Sequence, residues 1–354
     1  MTGETKTATA NPIGAVSTDV AGTVRHSNGV VITTPTGDRI ACDGTAPADA
    51  TVLSHAHTDH LFGSTPGPVL CSPMTAALAA ARRTGGPADH RRTVETESLH
   101  IELVDAGHVI GSRAALVTDL PADRTYLYTG DISTRDRLFL DGFDPPSADV
   151  LIIEATYGKP RYRFPPTDVV VRAIHSWLDA LDDRVAVLFG YPLGRAQTLQ
   201  RIAADGIGAD RSVFVHQSIA ELNAVITEHG QLSLDYPSID GDINVKSGDV
   251  VILPGSPTRS TALDRLAREH PVTTAGVSGW AIENGFRYRG DYDKTFPLSD
   301  HCDFSELLAV VEAVDPAMVF TTHGFATSLA EHVRRSFGID ARPLKRNQTT
   351  LTEF

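Results

Sequence analysis

An α/β fold with a doubly wound parallel unit set inside it is what this sequence predicts, on three observations. The first two-fifths of the 354 residues carry short β-branched runs with one helical interruption. From about Pro165 helical and strand-like stretches alternate, the pattern of a parallel sheet with crossover helices. After about Lys294 a turn, a helix, a strand and a last helix close the chain. A chain of this length exceeds the size at which one hydrophobic core usually stops growing, so two domains, or one domain with a large insertion, are expected.

The elements follow in order. "MTGETKTATANP" is polar and Thr/Ala-rich without the apolar stretch of a secretory signal, and reads as a flexible tail on a cytoplasmic protein. "GVVITT", "TVL", "HIELVDA", "AALVTDL", "TYLYTGD" and "DVLIIEATYG" read as strands, and "PMTAALAAARR" as the helix among them. Then come "TDVVVRAIHSWLDAL" (helix), "RVAVLFGY" (strand), "GRAQTLQRIAA" (helix), "SVFVHQ" (strand) and "IAELNAVITEH" (helix). "DVVILPG" (strand), "TALDRLARE" (helix) and "VTTAGVSG" (strand) complete the alternation. "SDHCDFSELLAVVEAVDPAMVFTTHG" gives the turn, helix and strand of the return, and "SLAEHVRRSFG" the last helix.

Composition excludes some classes. Hydrophobic residues make up 41% and charged residues 21%, ordinary for a soluble globular protein, and no apolar run reaches the ~18 residues of a membrane span. Cys42, Cys71 and Cys302 are odd in number and lack CxxC spacing, which fits a reducing compartment and argues against a thiolate zinc site. The net charge of −13 opposes broad phosphate binding. With only five lysines and many aspartates, it has the look of a surface kept soluble at high salt. Local cations such as Arg161, Arg163, Arg195, Arg287 and Arg289 could still line one cleft.

"LSHAHTDHLFG" holds His55, His57, Asp59 and His60 within six positions. Alternation in an extended segment puts His55 and His57 on one side, and Asp59 and His60 follow where the chain turns. Four such groups on one loop can serve two metals if other segments complete both shells; imidazole with carboxylate favours zinc, then manganese or iron. His108 in "DAGHVIGS", Asp131 in "YTGDIS" and His323 in "FTTHGF" each follow a strand-like run beside a glycine, which lets backbone or ligand come close. A carboxylate such as Asp131 can bridge two cations roughly 3.5–4 Å apart.

"HAHTDH", "AGHVIGS" and "TGDIS" resemble motifs two to four of metallo-β-lactamase-fold hydrolases, and Asp43 in "IACDGT" lies where the first motif places an orienting aspartate. "EATYG", "SDHCDF" and "TTHGF" resemble motifs A, B and C of the β-CASP nucleases, a subfamily that includes the nuclease of mRNA 3′-end processing, archaeal and bacterial RNA-processing relatives and DNA-repair nucleases. The match runs from about Asn28 to Leu344. The resemblance implies a four-layer αββα metallo-β-lactamase sandwich with an inserted doubly wound α/β β-CASP domain. Residues 1–12 would be the tail, 13–158 and 295–354 the two parts of the core, and 159–294 the insertion.

The same resemblance implies one metal on His55, His57 and His108 and a second on Asp59, His60 and His323, with Asp131 bridging: two zinc ions, or manganese in their place. Asp43 would orient a ligand by a hydrogen bond, or be no more than a turn aspartate. Glu154 and His301 fall where the family pairs a carboxylate with a histidine near the scissile phosphate, so His301 could donate a proton to the departing oxygen. "GYPLGRAQTLQ" sets glycine and Arg195 at a strand-to-helix turn, suited to a phosphate or to plain packing. "KPRYRFPP" interleaves Lys159, Arg161 and Arg163 with aromatic rings, suited to single-strand binding or to a solvated linker.

The expected function is a binuclear metal-dependent phosphodiesterase on single-stranded RNA, resembling mRNA 3′-end processing factors and acting as endo- or exonuclease. A DNA exonuclease like the compact ligase-associated members is the second reading, and an inactive nucleic-acid-binding scaffold subunit the third. No ATP-binding loop and no membrane partner are expected, and a homodimer is open to the chain.

Overall fold

The computed structural model describes residues 22–62, 68–82, 90–230, 232–240, 244–257 and 260–344, so the tail expected at 1–12 lies outside the described residues. The chain begins with β1 (Thr23–His26), β2 (Val30–Thr33), β3 (Arg39–Cys42), β4 (Ala50–Val52), β5 (Val69–Leu70), α1 (Pro73–Arg82) and β6 (His90–Arg91). Next come β7 (Thr93–Glu95), β8 (Leu99–Asp105), β9 (Arg113–Asp119), β10 (Arg124–Tyr128) and β11 (Val150–Glu154). The alternating stretch is α2 (Thr167–Asp179), β12 (Val185–Phe189), α3 (Arg195–Gly206), β13 (Val213–Val215), α4 (Gln217–Glu228), β14 (Val250–Leu253), α5 (Thr261–Glu269), β15 (Val272–Val277), α6 (Asn284–Gly290) and β16 (Lys294–Phe296). It ends with α7 (Phe304–Val314), β17 (Met318–Thr322), α8 (Ala326–Phe337) and β18 (Asp340–Pro343).

Among the described residues these strands form three sheets, ordered β1-β2-β3-β4-β5-β6, β18-β17-β11-β10-β9-β8-β7 and β13-β14-β12-β15-β16. The first two pack face to face: Val30, Ile32, Ile40 and Val52 of one meet Ile101, Val117, Tyr126 and Ile152 of the other in a single buried cluster. On the far side of the second sheet, Leu127, Leu151, Ile153 and Val319 pack against Leu307 and Val311 of α7 and Leu329 and Val333 of α8. β11 therefore buries both faces, which is why its sequence is a continuous apolar run instead of an alternation. On the outer side of the first sheet, Leu53, Val69 and Cys71 pack on Met74 and Leu78 of α1, and the same cluster takes in Leu222 and Ile226 of α4. All three cysteines are buried and free.

Every pairing in the five-stranded sheet is parallel. Val170 and Ile174 of α2 with Leu199 and Ile202 of α3 cover one face. Leu263 and Leu266 of α5 with Tyr292 cover the other. This is the doubly wound pattern, in which ligands bind beyond the carboxyl ends of the strands. Those ends matter here. β12 runs into Tyr191–Arg195, β15 into Ser278–Trp280 and β16 into Ser299–His301, while β4, β10, β11 and β17 of the other sheets run into His55, Asp131, Glu154 and His323.

Candidate metal centre and active site

Four imidazoles meet at these strand ends, and each has one ring nitrogen held by a protein acceptor. His60 Nδ1 donates to Asp43 Oδ2 at 2.8 Å. His108 Nδ1 donates to the Asp300 carbonyl at 2.9 Å, and His57 Nε2 to the Leu193 carbonyl at 3.1 Å. His55 Nδ1 lies 2.9 Å from Ser54 Oγ, whose own proton goes to Asp43 Oδ2 at 2.5 Å. An imidazole donating through one nitrogen presents a lone pair on the other. Those remaining nitrogens converge on Asp131, whose Oδ2 stands 3.6 Å from His55 Nε2, 3.4 Å from His60 Nε2 and 3.8 Å from His108 Nε2.

This donor set fits metal ions. His55 Nε2 and His60 Nε2 are buried without a hydrogen-bond partner, and an unmet buried polar atom costs roughly 1–3 kcal/mol. His57 Nδ1 and His108 Nε2 lie 3.2 Å apart, close to the about 3.3 Å between two nitrogens on one tetrahedral ion at 2.0–2.1 Å from each. Burial first, then the neighbouring imidazoles, pushes His55 and His108 well below the usual histidine range, leaving them neutral, the form that ligates. Burial also opposes charge on His60, but Asp131 and Asp43 outweigh it and raise its pKa well above the usual value. That pull toward positive charge is one a cation would answer.

Ligand atoms within 4.8 Å of one another unite His55, His57, His108 and Asp131 in one group and His60, Asp131 and His323 in another. Asp59 stands outside both: its side chain is 78% exposed, with Oδ2 3.9 Å from His60 Nε2. His323 ends β17 in the left-handed region at φ 59° and stacks on His60 with ring centroids 5.2 Å apart. The next turn needs glycine, because a Cβ on Gly324 would sit 2.4 Å from both Ala155 O and Thr156 Cα. Asp43 accepts from Ser54 N and from Tyr128 Oη as well as from His60, which makes it the brace of that imidazole.

Glu154 is 0% exposed and accepts from Ile132 N and from His301 Nδ1, both at 2.9 Å on Oε1. It does not line the cavity above the cluster; it holds His301, which does. Burial lowers the pKa of His301, yet the Glu154 carboxylate, then Asp131, lifts it to about 9. The cavity above the cluster holds about 370 Å³ and is lined by Asp131, His301, Tyr157, Tyr191, Trp280 and Arg82 among others.

Of the four expected substrate-binding residues, Arg195 alone lines this cavity. Lys159, Arg161 and Arg163 do not line this cavity. Tyr162 and Phe164, the rings expected to stack on bases, are buried with Tyr157 and against Trp280 and Phe325. Arg161 pairs with Glu283 at 2.9 Å and Arg163 Nη1 donates to Ser305 Oγ at 2.6 Å, so the rings of "KPRYRFPP" pack inward as a strut while its arginines stay exposed at the surface. Arg195 is 3% exposed, and its guanidinium is taken up by Asp300 and by the Val277 and Leu298 carbonyls. Arg195 thus packs at that turn while also lining the cavity. Sequence reasoning passed over Tyr191, which is 67% exposed at the cavity with its ring centroid 6.3 Å from His57, and Trp280 and Arg82 beside it. Only the fold reveals them, since nothing marks a tyrosine after a strand as a cavity wall.

Three sheets of a mixed α/β protein thus bring their strand ends to one His/Asp cluster able to hold metal ions; a metal-binding α/β protein is the class that fold and site define. No family model matches the chain. It is similar to a probable DNA ligase of Opitutus terrae, 36% identical over 306 residues that make up 84% of this chain and 29% of the relative. It is also similar to the DNA cross-link repair protein SNM1 of Arabidopsis thaliana, at 26% over 76% of this chain and 60% of the relative. A probable RNase MJ4 of Methanocaldococcus jannaschii is 27% identical over 50% of this chain and 41% of the relative. The chain spans less than two thirds of the length of each of these relatives. A crystal structure of a protein of unknown function from Enterococcus faecalis V583 shares the fold, with a TM-score of 0.60 at 15% identity, covering 92% of this chain and 97% of that one. Through these relatives the chain is similar to the β-CASP group of metallo-β-lactamase-fold proteins.

Proposed function

We infer that the chain is a metal-dependent nuclease that hydrolyses phosphodiester bonds of single-stranded nucleic acid. The observation that carries this reading is the placement of His301, held by the buried Glu154, on the same cavity floor as the cluster around Asp131. In this reading the first two sheets with α1, α7 and α8 form the αββα metallo-β-lactamase sandwich, and the five-stranded unit is the β-CASP insertion. His55, His57 and His108 would hold one ion, and His60, His323 and Asp59 the other, with Asp131 shared; Asp59 would have to turn inward from the rim. Bound there, two divalent ions, zinc or manganese, supply Lewis acidity and a water acidic enough to attack near neutral pH.

The chain's own residues do the rest. Asp43, Ser54, Leu193 and Asp300 fix which nitrogen of each histidine is free to ligate. Glu154 occupies His301 Nδ1, so Nε2 is the nitrogen that can give a proton to the departing sugar oxygen. Tyr191 and Trp280 offer rings at the cavity for bases, which a paired duplex would keep stacked away from them.

RNA is the substrate expected from the motifs, and the RNase-named relative supports it over half of the chain. DNA is favoured by a specific observation: the relatives named for DNA ligase and DNA cross-link repair match 84% and 76% of the chain, the former at 36% identity. The deciding experiment digests end-labelled single-stranded RNA and DNA side by side, with free and blocked 5′ ends, using the wild type and His301→Ala. Cleavage of either substrate by the wild type, with both metal equivalents kept but turnover lost in His301→Ala, is expected. No cleavage by a metal-loaded wild type would leave the scaffold reading standing in its place.

A further inference from the structure

The two metal-holding groups differ in what holds them. His60 is braced by Asp43, and Asp43 by Ser54 and Tyr128, all residues of the first two sheets and their loops. His57 and His108 depend on backbone carbonyls from other places: Leu193 belongs to the β12–α3 turn of the five-stranded unit, and Asp300 to the segment returning from it.

One buried junction fixes both carbonyls. Arg195, the first residue of α3, grips the Asp300 carboxylate through Nη2–Oδ2 at 2.9 Å and Nε–Oδ1 at 3.2 Å. Arg137 holds the same carboxylate from the β10–β11 connection at 2.7 Å and donates to the His108 carbonyl at 2.6 Å. Burial alone would raise the pKa of Asp300, but Arg195 and Arg137 hold it far below the usual carboxylate range, so it stays charged. Between Leu193 and Arg195, Gly194 takes φ 92°, and a Cβ there would strike Val109 Cγ1 at 2.5 Å, which sets the turn directly on the neighbour of His108. Gln197 braces the turn from within, accepting from Gly194 N at 2.7 Å and donating to the Pro192 carbonyl at 3.0 Å.

We propose that Arg195 and Asp300 are positioning residues that make metal binding at His57 and His108 conditional on the seating of the five-stranded unit, while binding at His60 and His323 is independent of it. When the Arg195–Asp300 clasp loosens, the Leu193 and Asp300 carbonyls shift, and His57 and His108 lose the hydrogen bonds that fix their tautomers. Substrate entering between the unit and the core then reports directly to one ion and not to the other.

The proposal rests on the metal reading above, and the experiment separates the two. The full chain, stripped with a chelator, is titrated with Co²⁺ by calorimetry and by visible absorption. The wild type is expected to bind two equivalents; if it binds none, the metal reading itself fails. Arg195→Lys, which keeps the charge but not the fork, is expected to weaken one equivalent by roughly 10–100-fold and leave the other unchanged. Arg195→Ala should do so more severely, and His323→Ala, at a residue of the other group alone, should weaken the other equivalent instead. If the wild type binds two equivalents and both Arg195 variants, folded by circular dichroism, bind them as it does or lose both equally, the proposal is overturned. Should Arg195→Ala fail to fold, Arg195→Lys alone decides.

Discussion

At the residue scale Glu154 and His301 form a hydrogen-bonded pair directly beside Asp131. Because Glu154 does not itself line the cavity and holds Nδ1 of His301, which does, removing either residue should remove the same function. Glu154→Gln and His301→Ala are each expected to lower kcat by roughly 10²–10⁴ with metal content intact, and the double variant to be hardly worse than His301→Ala. Additive losses in single-turnover rates would show that Glu154 acts on its own. The cluster was legible in the sequence because His55, His57, Asp59 and His60 crowd one loop and His108, Asp131 and His323 stand beside glycine after strand-like runs. Its outer supports were not. Leu193 and Asp300 act on His57 and His108 through carbonyls that every residue has, and Arg195 looked free because its carboxylate partner lies 105 residues away.

At the scale of elements, the strands found in the sequence are those with enough apolar content to be recognised without their neighbours, such as β8, β9 and β11. β5 and β6, two residues each, exist only because β4 offers an edge to pair with, and β16 and β18 are likewise made by pairing. Helix α7 shows how an end can be marked locally. Asp303 caps it, accepting from Ser305 N and Glu306 N, while Glu306 answers back to Asp303 N. The same carboxylate receives Phe164 N at 2.9 Å and Arg135 at 3.0 Å, tying the strut segment to the helix. Asp303→Ala is expected to cost at least the roughly 0.5–2 kcal/mol of a lost cap, read as a lower urea midpoint with an unchanged m value.

Across the whole molecule, the ligand atoms come from segments spread between His55 and His323, so ions bound there hold both packed sheets together. At a metal concentration a hundred times the dissociation constant, binding to the folded state alone adds about 2.7 kcal/mol. Chelation should therefore lower Tm by several degrees and zinc or manganese restore it; an unchanged Tm would mean that the cluster takes up no ion. Among the described residues no helix is long and apolar enough to cross a membrane. The doubly wound unit was legible because its helices and strands alternate, whereas its role as a source of outer supports for the cluster depends on how β12 and β16 end, which no local pattern shows.

The order of the site along the chain has a consequence for synthesis. His55, His57, His60, His108 and Asp131 all precede the five-stranded unit, whereas His301 and His323 follow it. On the nuclease reading, a chain leaving the ribosome acquires most of its metal-holding residues early and its proton donor and His323 only after that unit has emerged. Until residue 323 is out, the nascent protein sits beside its own messenger without the complete means to cut it.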